Sequence, residues 1–402
     1  MSYVIQASLC NSDRIVLGVV TIPFPLNQNE YDHSIGLLNE QQIGDAVKQD
    51  CYVDAITSKW SAVKILEGQY VNVDELDYLA KRLDSFNEYE AKQFQAACSA
   101  LGCRNIKDLI NLTFCCRQVT VITDFSDLEQ IGRAHYMNLN SGCASIEELE
   151  NLDGEETARL LIDSGAGVIT PYGVVFENGM KLEQVYDGSH FPEYHYETSK
   201  AVVTLTPAAC PEAHEYLYLP CPSGMISRAF QRLGSPSMKE CHAKLETGDI
   251  CDAVRGVFED KFILSEHIET LNQLAKCYMG FDADMLEKFH TVLDHARPGA
   301  PEEVLLLAQN IEEFTVLPHI SSAEEYGQYL VRQSGHYELD PNLDGFINYR
   351  ELGEHRIQEE KGSFSDRGYV AYGGTDPLIE KILPSRVQTQ EMKMGGQQYG
   401  AY

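Results

Sequence analysis

The chain of 402 residues is poor in positive charge. Its 31 lysines and arginines face 61 aspartates and glutamates, for a formal net charge of −30. A field of that sign repels nucleic acid and membrane phosphates and attracts basic surfaces. No apolar run approaches ~18 residues and no apolar N-terminal signal is present, so no membrane span is expected. The twelve cysteines are scattered, with no CxxC and no secretory-type framework. That usage fits reduced, buried thiols in a cytoplasmic protein. Cys251 and Cys277 lack the paired spacing of zinc ligands. Missing too are GxSxG, a P-loop, GxGxxG before a helix and HExxH, and Cys115-Cys116 has no nearby histidine. No catalytic constellation emerges, and the chain is not expected to be an enzyme.

What the sequence does contain is a match to itself. Val73-Asp74-Glu75-Leu76-Asp77-Tyr78-Leu79-Ala80-Lys81 aligns with Ile268-Glu269-Thr270-Leu271-Asn272-Gln273-Leu274-Ala275-Lys276, a spacing of 195. Phe86 and Phe281, Phe94 and Phe289, Gly132 and Gly327, and Gly173 and Gly368 keep that spacing. The pattern reads as a tandem duplication. Residues 1–200 hold 30 acidic and 14 basic groups, so both copies share the acidity and no acidic tail accounts for it.

Each copy divides into three parts. First comes an apolar strand ending in prolines, Val19 to Pro25 or Tyr216 to Pro222, with the prolines 197 apart and hence a small indel expected. A short helix follows, with Ile35 and Leu38 matching Phe230 and Leu233. The second part is helical: Val73, Leu76, Leu79, Ala80 and Leu83 share one face, Asn72 is a candidate cap, and Phe94 or Phe289 marks a second helix. The third part opens with a strand near Val119 or Phe314. Ser126 and Ser321 then stand in capping-box spacing with Glu129 and Glu324. It closes with strands at 172–176 and 367–371. Residues 188–214 read as a linker between copies spanning 1–187 and 215–382, and 383–402 as a flexible Gln/Gly-rich tail.

This order, with Phe346-Ile347-Asn348-Tyr349-Arg350-Glu351-Leu352-Gly353 ahead of Gly368-Tyr369-Val370, resembles the ArdA antirestriction family. The second copy fits from about 215 to 375. The first is similar from about 15 to 180, with Asp153-Gly154 as its degraded equivalent of Asn348-Tyr349. The resemblance implies an α+β fold: an elongated tandem repeat of two ArdA-like units. Each unit would have a small strand-rich N-terminal domain, a helical bundle and a C-terminal α/β domain. It also implies a mimic of B-form DNA, carried by a mobile genetic element. Such a protein would block the DNA groove of type I restriction-modification methyltransferase and specificity subunits, or of another DNA-binding defence protein such as a CRISPR effector. It would bind neither nucleic acid nor membrane. The fused copies would act as a homodimer or an internal pseudo-dimer. The alternative reading is an acidic adaptor for a basic protein. A hydrolase would instead need a concave pocket holding acids with raised pKa values.

Duplex DNA carries one negative charge per ~1.7 Å of axis, and helical i, i+3 and i, i+4 carboxylates form comparable rows. Candidate rows are Asp74/Asp77, Asp84/Glu88, Asp124/Asp127 with Glu129, Glu147/Glu150, Glu302/Glu303, Glu312/Glu313 and Glu324/Glu325. The stretch 121–163 has ten acids against Arg133 and Arg159. No cofactor is expected, with one competing motif. Asp340, Asn342, Asp344, Phe346 (through its carbonyl), Asn348 and Glu351 satisfy an EF-hand loop pattern for Ca2+. The matching segment of copy one lacks those ligands, and no second hand is present. His190 and His195 lie near Asp187 and Glu193, as a solvated loop or a metal site.

Overall fold

The structure is a computed structural model that describes residues 3–383 except 141, 236, 251, 261, 262 and 339. Helix makes up 50% and strand 17%, the strands in small antiparallel sheets, which sets the class as α+β. Two compact units partition the chain. One comprises Met1–Thr198, Thr206–Tyr216 and Cys221–Glu240, the other Ser199–Leu205, Leu217–Pro220 and the chain from Cys241 onward. Among the described residues no helix is long and apolar enough to cross a membrane.

In the first unit, β1 (Ile5–Cys10) pairs antiparallel with β2 (Val19–Phe24) and, across a bulge at Ser8/Leu9, with β3 (Cys51–Ser58). The short β4 (Tyr70–Val71) completes the order β2-β1-β3-β4, and α1 (Tyr31–Glu40) lies between β2 and β3 in the chain. The inward residues Ile5, Ala7, Leu9, Ile22 and Phe24 alternate as one buried face requires. A three-helix layer continues this core: α2 (Val73–Asp84), α3 (Glu88–Leu101) and α4 (Ile106–Cys115). Asn72 starts α2 and Asn87 starts α3. Each forms a reciprocal capping box, with Glu75 and Glu90, that satisfies otherwise orphaned backbone donors.

The third part runs β5 (Thr120–Ile122), α5 (Leu128–Leu139), α6 (Ile146–Glu150), α7 (Gly154–Asp163), β6 (Val168–Thr170) and β7 (Gly173–Phe176), with sheet order β5-β7-β6. Helices α5 and α7 touch backbone to backbone at Gly132. A Cβ there would sit 2.6 Å from the Gly154 carbonyl carbon and collide with its oxygen.

The second half contains β8 (Ala201–Pro207), β9 (Glu215–Leu219), α8 (Ser223–Arg232), β10 (Cys241–Gly248) and α9 (Asp252–Asp260). Its helical layer is α10 (Ile268–Gly280), α11 (Ala283–Ala296) and α12 (Pro301–Gln309). Then come β11 (Phe314–Pro318), α13 (Ala323–Arg332), α14 (Tyr349–Glu359), β12 (Ser363–Ser365), β13 (Gly368–Tyr372) and α15 (Pro377–Ile382). The sheets are ordered β10-β8-β9 and β11-β13-β12. Helices α3 and α11 differ by 195 at both ends, as do β6 and β12. Gly327 of α13 meets Tyr349, the first residue of α14, as Gly132 meets Gly154.

Several expectations need correction. Strands β2 and β9 end at Phe24 and Leu219, so the equivalent prolines are Pro25 and Pro220, 195 apart, and no indel separates them. Residues 188–214 are not a plain linker. Residues 201–207 form β8, and Phe191 stacks on Tyr78 and Tyr186 at 5.1 and 5.2 Å. Tyr78 also donates to the Pro192 carbonyl, and Tyr194 to that of Lys81. The N-caps of α5 and α13 are Asp127 and Ser322, one residue past Ser126 and Ser321. Asp153 caps α7 as Asn348 caps α14, so the degraded block keeps its structural task. Of the expected tail, 384–402 lie outside the described residues.

Candidate acidic interface

The acid-rich stretch 121–163 folds into β5, α5, α6 and α7, and all ten of its carboxylate residues are exposed. Local bonding fixes several of them. Asp124 accepts the Ser126 N–H at 2.9 Å, Asp127 that of Gln130 at 2.9 Å, and Asp153 that of Glu156 at 2.8 Å. Ser145 and Glu148 form the box that starts α6, which also carries Glu147 and Glu150. Glu129 takes the Glu155 N–H at 3.1 Å and so ties α5 to the start of α7. The backbone N–H groups of Ser126 and Ser145 hold Asp124 and Glu148 below the usual carboxylate range, which keeps both anionic well into acid. The two cations are spent within the region, Arg133 on Glu129 at 3.4 Å and Arg159 on Glu155. Burial lowers the pKa of His135, so it adds no charge near neutrality.

The matching stretch of the second half, 316–358, holds seven acids and three arginines. Arg332 pairs with Asp344 at 2.7 Å, Arg350 with Glu324 at 3.6 Å, and Arg356 with Glu359 at 2.9 Å. The Glu325 carboxylate accepts the Ser321 N–H at 2.7 Å, which holds its pKa low, and the Glu325 N–H donates to the Ser322 hydroxyl oxygen that caps α13. The acidity of this part is therefore concentrated in the first half.

The remaining rows divide. Asp84 and Glu88 are exposed, with Asp84 accepting the Tyr196 hydroxyl at 2.7 Å. Glu302 is exposed and pairs with His267 at 2.8 Å, while Glu303 is half-buried and takes the Gly299 N–H. Glu312 and Glu313 are exposed, and Glu313 accepts the Tyr372 hydroxyl at 2.9 Å. Asp74 and Asp77 do not form a surface row. They are 8% and 6% exposed. Asp74 bonds Arg228 at 3.0 Å, Arg232 at 2.6 Å and the Tyr31 hydroxyl at 3.2 Å. Asp77 takes the Leu26 N–H at 2.6 Å and pairs with Lys81 at 3.1 Å. This part of the polar face of α2 is covered, and its charges are answered by one buried cation, Arg228, and two largely buried ones, Arg232 and Lys81. Glu215, 2% exposed and doubly bonded to Arg232, belongs to the same network and was missed in the sequence.

Beside that network lies a small cleft of about 90 Å³ lined by Asn72, Glu75, Tyr186, Phe191 and Arg232 among others. Burial pushes Glu75 up. It is the one carboxylate in the lining, and it already accepts from the Asn72 N–H, Gln49 and the Tyr186 hydroxyl, each at 3.1 Å. The first of these is its capping-box bond, and the other two tie it to Gln49 and Tyr186.

The EF-hand pattern folds otherwise. Asp340 caps a 3-10 turn over Pro341–Phe346, and Asp344 pairs with Arg332 and accepts the Tyr349 hydroxyl. Asn348 caps α14 and donates to Glu351, and the Phe346 side chain is exposed. Five of the six positions, all but Phe346, are thus engaged in local bonds. His190 pairs with Asp187 at 2.7 Å and His195 with Glu193 at 2.8 Å, as two separate pairs. Among the described residues no group of three or more His, Cys, Asp or Glu could hold a metal ion.

No protein-family model matches the chain, and no curated protein is significantly similar to it.

Proposed function

We propose that this chain is a tandem ArdA-like antirestriction protein, an acidic mimic of DNA that occupies the DNA groove of type I restriction-modification enzymes. The observation that carries the reading is the exposed acidity of 121–163, ten carboxylates whose two neighbouring arginines are both internally paired. A groove built for phosphates would meet such acidity with its lysines and arginines, and phosphate-type contacts carry no base information. One inhibitor can then serve enzymes with different target sequences. The recurrence of strand, helical and strand-helix parts at a spacing of 195 agrees with the three-part order the family resemblance implies.

The test is competition between this protein and a labelled duplex for a type I methyltransferase core over a salt series. Displacement is expected at ~50 mM salt and should fade as counterions screen it. Neutralising four carboxylates together (E147Q, E150Q, E155Q and E156Q) should weaken displacement by about tenfold or more. No displacement at ~50 mM salt removes the proposal. Binding that leaves the duplex in place would mark an adaptor instead.

A further inference from the structure

The end of α3 carries two cysteines outside the acid-rich stretch 121–163. Cys98 lies in the last turn, Gly102 follows the helix in the left-handed conformation (φ 64°), and the Cys103 N–H returns to the Cys98 carbonyl at 3.2 Å. A turn closed in this way sets the side chains of its two end residues against each other, ordinarily as an apolar contact. At the matching positions the second half has two apolar residues, Leu293 and Pro298. In the first half both positions are unbridged thiols, Cys98 4% exposed and Cys103 half-buried. The bonds flanking the hydrogen bond cap the Cα separation at about 7 Å, the outer limit for a disulfide. Interaction with the Cys103 thiol lowers the pKa of Cys98. Burial pushes Cys115 and Cys116 up to about 11 and about 12, which leaves them as unreactive thiols.

We propose that Cys98 and Cys103 are a modification site, a dithiol that a peroxide oxidises to an intramolecular disulfide at the end of α3. The Cys98 thiolate attacks one peroxide oxygen and the O–O bond breaks. The departing hydroxide takes a proton and leaves as water, with a sulfenic acid on Cys98. The Cys103 sulfur, giving up its proton, then attacks the Cys98 sulfur. The S–S bond forms, the S–O bond breaks, and a second water leaves. Two electrons pass from the thiols to one peroxide.

Full-length protein treated with hydrogen peroxide, alkylated with iodoacetamide and digested with trypsin gives the readout. Lys92 and Arg104 bracket both cysteines, so they leave on one peptide, 93–104. That peptide should lack two hydrogens and resist alkylation at both positions, and dithiothreitol should restore both. Cys98→Leu copies the second half and keeps the packing, and it should leave Cys103 fully alkylated. In Cys103→Ser, Cys98 should be trapped by dimedone as the sulfenic acid. Full alkylation of both cysteines in the treated wild-type chain overturns the proposal. So does a bridge from either one to a different cysteine.

Discussion

Arg232 on α8 places its Nη1 2.6 Å from the Asp74 carboxylate on α2, with Asp74 buried and Arg232 largely so. The same guanidinium makes a paired contact with Glu215 at 2.7 and 2.8 Å, and Arg228 adds a second cation to Asp74. Arg228 also donates to the backbone carbonyls of Gly44 and Asp45. A helix from the second half of the sequence is thus held in the first unit by charge pairs whose members are largely withdrawn from solvent.

Removing one member of such a network leaves the others buried without compensation, which costs more than the pair contributes when intact. Asp74→Asn should lower stability by about 3 kcal/mol, read as a drop in the urea midpoint. Displacement of DNA by the remaining folded protein should be unchanged, because Asp74 does not reach the surface. An unaltered midpoint would contradict the network, and a selective loss of displacement would return Asp74 to the interface.

The helix pair α13/α14 depends on the lack of a side chain at Gly327. A Cβ there would lie 2.7 Å from the carbonyl carbon of Tyr349 and 3.1 Å from its Cα. Alanine gains up to about 1 kcal/mol in helix propensity, but the backbone opposite cannot yield as a flexible side chain would. Gly327→Ala should be destabilising by about 1–3 kcal/mol. Gly132→Ala should follow it in the first half, whereas Gly280, with nothing within 4 Å of an added Cβ, should tolerate alanine. Denaturant midpoints of the three variants check the order.

The recurrence at a spacing of 195 was legible because core positions repeat as chemistry. Ile35, Leu38, Phe94, Phe230, Leu233 and Phe289 are all buried where the 3.6 periodicity and the 195 spacing place them. Asn72 was readable as a cap because a single side chain offers itself before the apolar stripe. At α5 two neighbours, Ser126 and Asp127, both offer an oxygen, and the spacing of Ser126 to Glu129 favoured the wrong one. Strand β8 escaped notice because Ala201, Val202 and Val203 are all buried, so the alternation that marks a half-buried strand is missing. The burial of Asp74 and Asp77 was not legible at all. An amphipathic stripe separates apolar from polar, but it cannot tell water from a guanidinium that arrives 154 residues later.

The second unit should weaken in mild acid through α11. His295 is half-buried, with its Nε2 2.8 Å from the Ser363 hydroxyl, and burial lowers its pKa from the ordinary value of 6.5. His290, on the same helix, is shifted the same way by burial and by Arg367. The folded state therefore binds protons less readily than the unfolded chain. Stability from these groups is fully present above 6.5, the unfolded value, and is lost as pH falls from there toward the lowered folded values. Glu75, in the first unit, acts with the opposite sign. Its raised pKa makes the folded state the better proton binder, so its contribution is lost as pH rises. A reporter confined to the second unit is needed to separate the two. Histidine ring proton shifts across a pH titration should place His295 below its ordinary value. Hydrogen exchange of β12 and α11 should quicken as pH falls below about 6.5, after correction for the intrinsic rate. In His295→Gln that acceleration should shrink. A His295 that titrates at or above its ordinary value would show that the imidazole is solvated and does not bear on the stability of this unit.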